Sequence, residues 1–100
     1  MALVFVTINP LGTGSTSISD YVAGAERILR ASGLKHQITA MGTTIEGDLD
    51  AVLHVVRQMH EHPFTQGAVR VSTLIKIDDR RDKEHTIAGK TRSVEEKLKG

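Results

Sequence analysis

The hexapeptide Gly42-Thr-Thr-Ile-Glu-Gly47 sets the topology of this chain. It is too short for an ordinary helix. It lies between an extended run ending at Met41 and a strongly helical run opening at Asp48. A glycine on either side permits a tight entry and exit, so Thr43–Glu46 reads as a short strand. Its only charged side chain is Glu46. Strand residues alternate between faces, and a carboxylate on a covered face is costly without a partner. Glu46 is therefore expected to meet a ligand.

Working outward, His36–Met41 reads as a strand of alternating character, turned by Gly42 into the next one. Before it, Ile18, Tyr21, Val22, Ala25 and Leu29 fall at i, i+3, i+4, i+7 and i+11, one stripe of a helix stopped by Gly33. Ser17 and Asp20 resemble a capping pair at its start. Leu3–Ile8 is continuously apolar, as in a central strand covered on both faces, and Pro10 ends it. On the other side, Leu49, Val52, Leu53, Val56 and Met59 make a second helical stripe that Pro63 is expected to close. Val69–Ile77 is the longest strand. Asp78–Lys83 is a charge run expected to form a solvated network. Ser93 and Glu96 suggest the capping box of a last short helix reaching Lys99. The order β-α-β-β-α-β plus a terminal helix is the ferredoxin-like α+β pattern: an antiparallel four-stranded sheet with two helices on one face. One domain is expected over residues 1–100.

Strand parity divides the sheet. Val4, Val6, Ile8, Ile38, Ala40, Ile45, Val71, Ile75 and Ile77 are expected to face the helices. Leu3, Phe5, Thr7, Asn9, Gln37, Thr39, Met41, Thr44, Glu46, Arg70, Ser72, Leu74 and Lys76 belong to the opposite face. With Leu3, Phe5, Met41 and Leu74 together, that face is too apolar to be left wet. A homodimer or homotetramer covering it is expected.

Composition excludes several classes. Thirteen basic residues stand against twelve acidic ones, which argues against electrostatic binding to nucleic acid or to an anionic membrane. No run approaches the roughly 18 apolar residues of a membrane span. Met1–Ile8 is apolar but short, with no basic residues ahead of it, unlike a signal peptide. Without cysteine there is no thiolate chemistry and no Cys-x-x-Cys metal chaperone; the composition fits a cytoplasmic protein. An RNA-recognition module needs aromatics on its central strands, and the short strand Thr43–Glu46 has none and carries a negative charge instead. The loop after the first strand lacks the arginine of an acylphosphatase. His54, His60 and His62 are spaced to diverge, so they are expected to face solvent rather than hold a metal. No histidine is placed by sequence to activate a serine or threonine, so catalysis is not expected. Thr13–Ser19, rich in hydroxyls at a helix start, is a candidate site for an anion or polar ring.

Three segments carry a resemblance: Ser17-Ile-Ser-Asp-Tyr-Val-Ala23, Met41-Gly-Thr-Thr-Ile-Glu-Gly47 and Ile75-Lys-Ile-Asp-Asp-Arg-Arg-Asp82. The chain resembles the small thiamine-binding protein family across nearly its whole length. The resemblance implies non-catalytic binding of thiamine or its hydroxymethylpyrimidine moiety, in salvage, transport or buffering. It implies homo-oligomers, with no cofactor beyond that ligand. The family's serine-rich helix start falls on Ser17 and Ser19, and its Thr-x-x-Glu strand on Thr43 and Glu46. On chemical grounds Thr44 is a hydroxyl partner for ring nitrogens, and Met41 and Leu74 are covers for the ring. Asn9 completes the candidate site. The rival reading is a structural or regulatory homo-oligomer without a small-molecule ligand.

Overall fold

The computed structural model describes residues 1–12 and 19–99. Its elements are β1 (Ala2–Pro10), α1 (Ser19–Ser32), β2 (Lys35–Thr39), β3 (Gly42–Gly47), α2 (Leu49–Thr65), β4 (Val71–Asp79) and α3 (Ile87–Lys99). The strands form one antiparallel sheet in the order β2-β3-β1-β4, which is the expected ferredoxin-like α+β arrangement. The predicted face division holds at the core. Val4 pairs with Ile45, and Val4, Val6 and Ile45 pack with Leu29 of α1 and Val52, Val56 and Met59 of α2. Burying these aliphatic side chains is the main drive for laying both helices on that face.

Gly33 ends α1 at φ +74°, a left-handed conformation that glycine adopts without a side-chain penalty. Gly42 has a different task from the turn expected of it. The hairpin turn is Ala40–Met41, and Gly42 already belongs to β3. A Cβ on Gly42 would lie 2.5 Å from Phe5 Cζ. The glycine lets the Phe5 ring lie down on the neighbouring strand. Met41 is thereby at the hairpin tip, 81% exposed, and not on a strand face.

Three other elements, β4, α2 and α3, have boundaries that differ from expectation. β4 begins at Val71, and Val69 is exposed before it. The same strand continues through Asp78 and Asp79, taking them out of the charge run. α2 runs through Pro63 to Thr65. A proline one turn from a helix end forfeits few backbone bonds, and Pro63 is buried, with its carbonyl accepting from the Gln66 and Ala68 amides. α3 starts at Ile87, well before Ser93. Its cap is Thr86, whose Oγ1 accepts the Gly89 amide at 2.8 Å. Ser93 instead donates back to the Gly89 carbonyl. No side chain of α3 is buried in its own chain, and Val94 and Leu98 are exposed.

A ring-sized cavity beneath the first helix

The ladder from β1 to β3 ends at the pair Val6–Thr43, whereas the ladder to β4 continues to Pro10–Val71. Beyond Val6, β1 therefore parts from the tip of the β2–β3 hairpin and leaves a notch. α1 roofs it with Tyr21, Ala25, Glu26 and Leu29, and α2 closes the base with Met59 and Pro63. Asn9, Ile38, Met41 and Thr43 are among the residues of the wall. The cavity, open on one side, measures about 150 Å³. Cavities of this size, on the order of 150 Å³, hold a single six-membered aromatic ring.

The lining is mostly apolar, with a few polar groups, as small-molecule sites commonly are. Glu26 is the one charged side chain among the described lining residues. It occurs at i+4 from Val22, inside the apolar stripe of α1. Its Oε1 accepts from His36 Nε2 at 2.9 Å and from Arg30 Nε at 3.0 Å. Its Oε2 is buried and has no partner. His36 reaches across from β2, and its other ring nitrogen, Nδ1, donates to the Leu34 carbonyl at 2.9 Å. Two acceptors facing two ring nitrogens are both satisfied only by the imidazolium. The bond to Glu26 raises the pKa of His36 above its ordinary value, helped by Leu34. The same bond lowers the pKa of Glu26, with Arg30 adding to the effect against the opposing influence of burial.

The structure divides the residues expected to form one site. Asn9, Met41 and Thr43 line the cavity. Thr44 pairs with Phe5, and Leu74 with Thr7, on the face away from α1 and α2. Ser19 is the first residue of α1, while Ser17 and the proposed cap lie outside the described residues. Glu46 is buried at 6% exposure, and it accepts the Ile87 amide at 2.8 Å. A carboxylate at a helix N-terminus satisfies an orphan N–H and meets the positive end of the helix dipole. Nearby, Lys90 Nζ lies 2.8 Å from Asp78 Oδ2, and His85 Nε2 approaches the same oxygen at 3.2 Å without hydrogen-bond alignment. These contacts lower the Asp78 pKa, the Lys90 bond most. The start of α3 is thus fastened over one end of the second sheet face, and Leu3 is buried there.

Tyr21, read as part of the helical stripe, and Glu26 and His36 were not among the site residues expected from the sequence. The available signal was the acid within the Val22/Ala25/Leu29 stripe. Two histidines expected in solvent are half-buried. His60 Nδ1 shares a 2.7 Å hydrogen bond with Thr73 Oγ1 and sets its ring edge-on to Phe64. The His62 ring occupies the space above Gly24 of α1. Among the described residues, no three His, Asp or Glu side chains gather as a metal site. The run after β4 forms local exposed ion pairs, Arg80 with Asp82 and Arg81 with Asp79; the Arg80 bond holds the Asp82 carboxyl at about 2. No helix among the described residues is long and apolar enough to cross a membrane.

The domain is a ferredoxin-like α+β fold with a cavity between its first helix and its central strand. The chain belongs to the thiamine-binding protein family, whose family model matches residues 4–95. The UPF0045 protein YqgV of Bacillus subtilis is 47% identical over 102 residues, covering 98% of each chain. A UPF0045 protein of Methanothermobacter thermautotrophicus is 44% identical, over 93% of this chain and 95% of that one. The crystal structure of hypothetical protein MJ1052 from Methanocaldococcus jannaschii superposes with a TM-score of 0.84 at 39% identity, over 95% of this chain and 96% of that one. TM0486 of Thermotoga maritima shares the fold at 19% identity and a TM-score of 0.76, over 93% and 97% of the two chains.

Proposed function

We propose that this protein binds thiamine, or its hydroxymethylpyrimidine moiety, without transforming it. The observation that carries the reading is the cavity beneath α1. Its volume of about 150 Å³ suits one pyrimidine ring and is too small for both rings of thiamine. The pyrimidine enters and the thiazolium stays at the opening, beside exposed Met41. Family membership supplies the ligand class. Asn9, Thr43 and the unpaired flank of β1 offer hydrogen bonds to ring nitrogens and to the hydroxymethyl group.

A cysteine-free carrier or buffer of this kind suits a reducing cytoplasm. Calorimetry tests the reading: both thiamine and hydroxymethylpyrimidine are expected to bind with one site per chain. No heat from either at millimolar concentration would refute it.

Self-association accompanies this function in our reading. β4 is a nine-residue strand paired on one side only. Ile75 and Ile77 are each more than two-fifths exposed, and Leu74 is 61% exposed. Long apolar edges of this kind are usually covered by another chain. A sedimentation mass of one 10.9 kDa chain at micromolar concentration would contradict an oligomer.

A further inference from the structure

We infer that the main chain of Ile8 reads the ligand in the cavity beneath α1, pairing as the next rung of the sheet with a ring edge that carries an acceptor nitrogen beside an amino group. The inference rests on the ligand-binding reading above and goes further by naming the atoms that recognise the ring. It starts from the parity of β1. In an antiparallel ladder the N–H and C=O of one residue point to the same side, and successive residues alternate sides. Leu11 N–H donates to the Arg70 carbonyl at 2.8 Å, one step beyond the pair Pro10–Val71. The odd residues of β1, Thr7 and Asn9 among them, therefore direct their main-chain groups to β4. The even residues direct theirs to β3, where Val4 faces Ile45 and Val6 faces Thr43. Ile8 is the next in that series.

Ile8 has no such rung. The register would set it opposite Met41, but the ladder stops at Val6–Thr43. The Met41 amide turns instead to Thr39 Oγ1 at 3.3 Å. Among the described residues, no backbone bond reaches the Ile8 N–H or C=O. The cavity flanks this missing rung on both sides: Ile8 and Asn9 line it from β1, and Met41 and Gly42 from the hairpin. The Ile8 side chain packs against the core on the helix side, which fixes the direction of its main-chain groups. Pro10, the next even residue, has no N–H. This flank therefore carries a single donor, and a full strand pairs poorly with it.

An N–H and a C=O side by side in the plane of the sheet ask for an acceptor beside a donor. A ring nitrogen next to an exocyclic amine is that pattern. The nitrogen accepts from the Ile8 N–H, and the amine donates to the Ile8 carbonyl. The aminopyrimidine of thiamine has such an edge. The recognition does not require a site closed to water, because both groups are main-chain and are held by the ladder to β4. Exposed strand edges bind extended peptides in the same way; here a ring takes the place of one strand residue.

Hydrogen exchange and NMR on the ¹⁵N-labelled full chain test the assignment, with hydroxymethylpyrimidine and the same ring lacking its 4-amino group as probes. In the free protein the Thr7 and Asn9 amides are expected to be protected, and the Ile8 amide to exchange at least about tenfold faster. Saturating hydroxymethylpyrimidine is expected to slow exchange at Ile8 about tenfold and to move its amide proton downfield, while exchange at Thr7 and Asn9 stays as it was. By calorimetry the ring without the amine is expected to bind about three- to tenfold more weakly, the loss of one neutral hydrogen bond. An Ile8 amide as protected as Thr7 and Asn9 in the free protein would overturn the assignment. So would an Ile8 amide that hydroxymethylpyrimidine binds without affecting, or equal affinity for the two rings; in each case the thiamine reading stands. If neither thiamine nor hydroxymethylpyrimidine binds, both readings fall together.

Discussion

Replacing Glu46 with alanine separates two roles for the one buried carboxylate of β3. In the structure Glu46 Oε1 accepts the Ile87 amide at 2.8 Å and the side chain is 6% exposed. Alanine leaves that half-buried amide unpaired, at a cost of about 1–3 kcal/mol. It also removes a negative charge from the start of α3, worth about 0.3–2 kcal/mol. The two losses overlap, so about 2–3 kcal/mol is expected in total. For a chain of this size, each lost kcal/mol lowers Tm by roughly 4–8 °C. Glutamine keeps an acceptor oxygen and forfeits only the charge, about 1 kcal/mol. Urea unfolding at fixed protein concentration measures both, and amide exchange at Ile87 reports whether the start of α3 has come loose. Affinity for thiamine should change less than about threefold, a fraction of a kcal/mol, because Glu46 does not line the cavity. Unchanged stability and Ile87 protection in Glu46→Ala, together with a tenfold loss of thiamine affinity, would refute this reasoning and make Glu46 a ligand contact.

Other expectations follow from the same geometry. Thr86→Ala should cost about 1 kcal/mol through loss of the α3 cap, whereas Ser93→Ala should stay within about 0.5 kcal/mol; denaturant midpoints compare them. The Glu26–His36 pair should give a pH signature. The raised His36 pKa makes its contribution complete below the ordinary histidine value of 6.5 and lost as pH rises through the folded value. The lowered Glu26 pKa makes its contribution complete above 4.5 and lost as pH falls through the folded value. The stability difference between wild type and His36→Gln should thus be greatest between about pH 4.5 and 6.5 and shrink on either side; a difference flat from pH 4 to 9 would contradict it. Gly42→Ala should destabilise by about 1–3 kcal/mol through overpacking against Phe5, and Phe5→Leu in the same chain should recover part of the loss in thermal melts.

The fold was legible because its decisive signals are local and redundant. Continuous apolarity marked β1 as central, and two 3.6-residue stripes marked α1 and α2. The same parity that placed Val4, Val6 and Ile45 under the helices came from strand alternation alone. What local pattern does not reveal is which side chain a distant element will need. Glu46 stood out as the one acid on its strand, and its partner, the Ile87 amide, lies forty-one residues on. The start of α3 was misplaced because Ser93 and Glu96 match a capping pattern that tertiary contact with Glu46 and Asp78 overrides. The reach of α2 past Pro63 reflects a buried proline that burial rewards and backbone bonding barely penalises. Among the residues that line the cavity, Asn9, Met41 and Thr43 were expected at a site from the sequence. Glu26 was not, because an acid inside an apolar stripe reads as an imperfection until the imidazole from β2 is placed beside it.

The most direct test of the ligand site is an NMR titration of ¹⁵N-labelled protein with hydroxymethylpyrimidine. The amides of Asn9, Tyr21, Ala25, Glu26 and Gly42, at or beside the cavity beneath α1, are expected to shift together and saturate. Saturating shifts confined instead to Phe5, Thr44 and Leu74 on the opposite face would contradict the site.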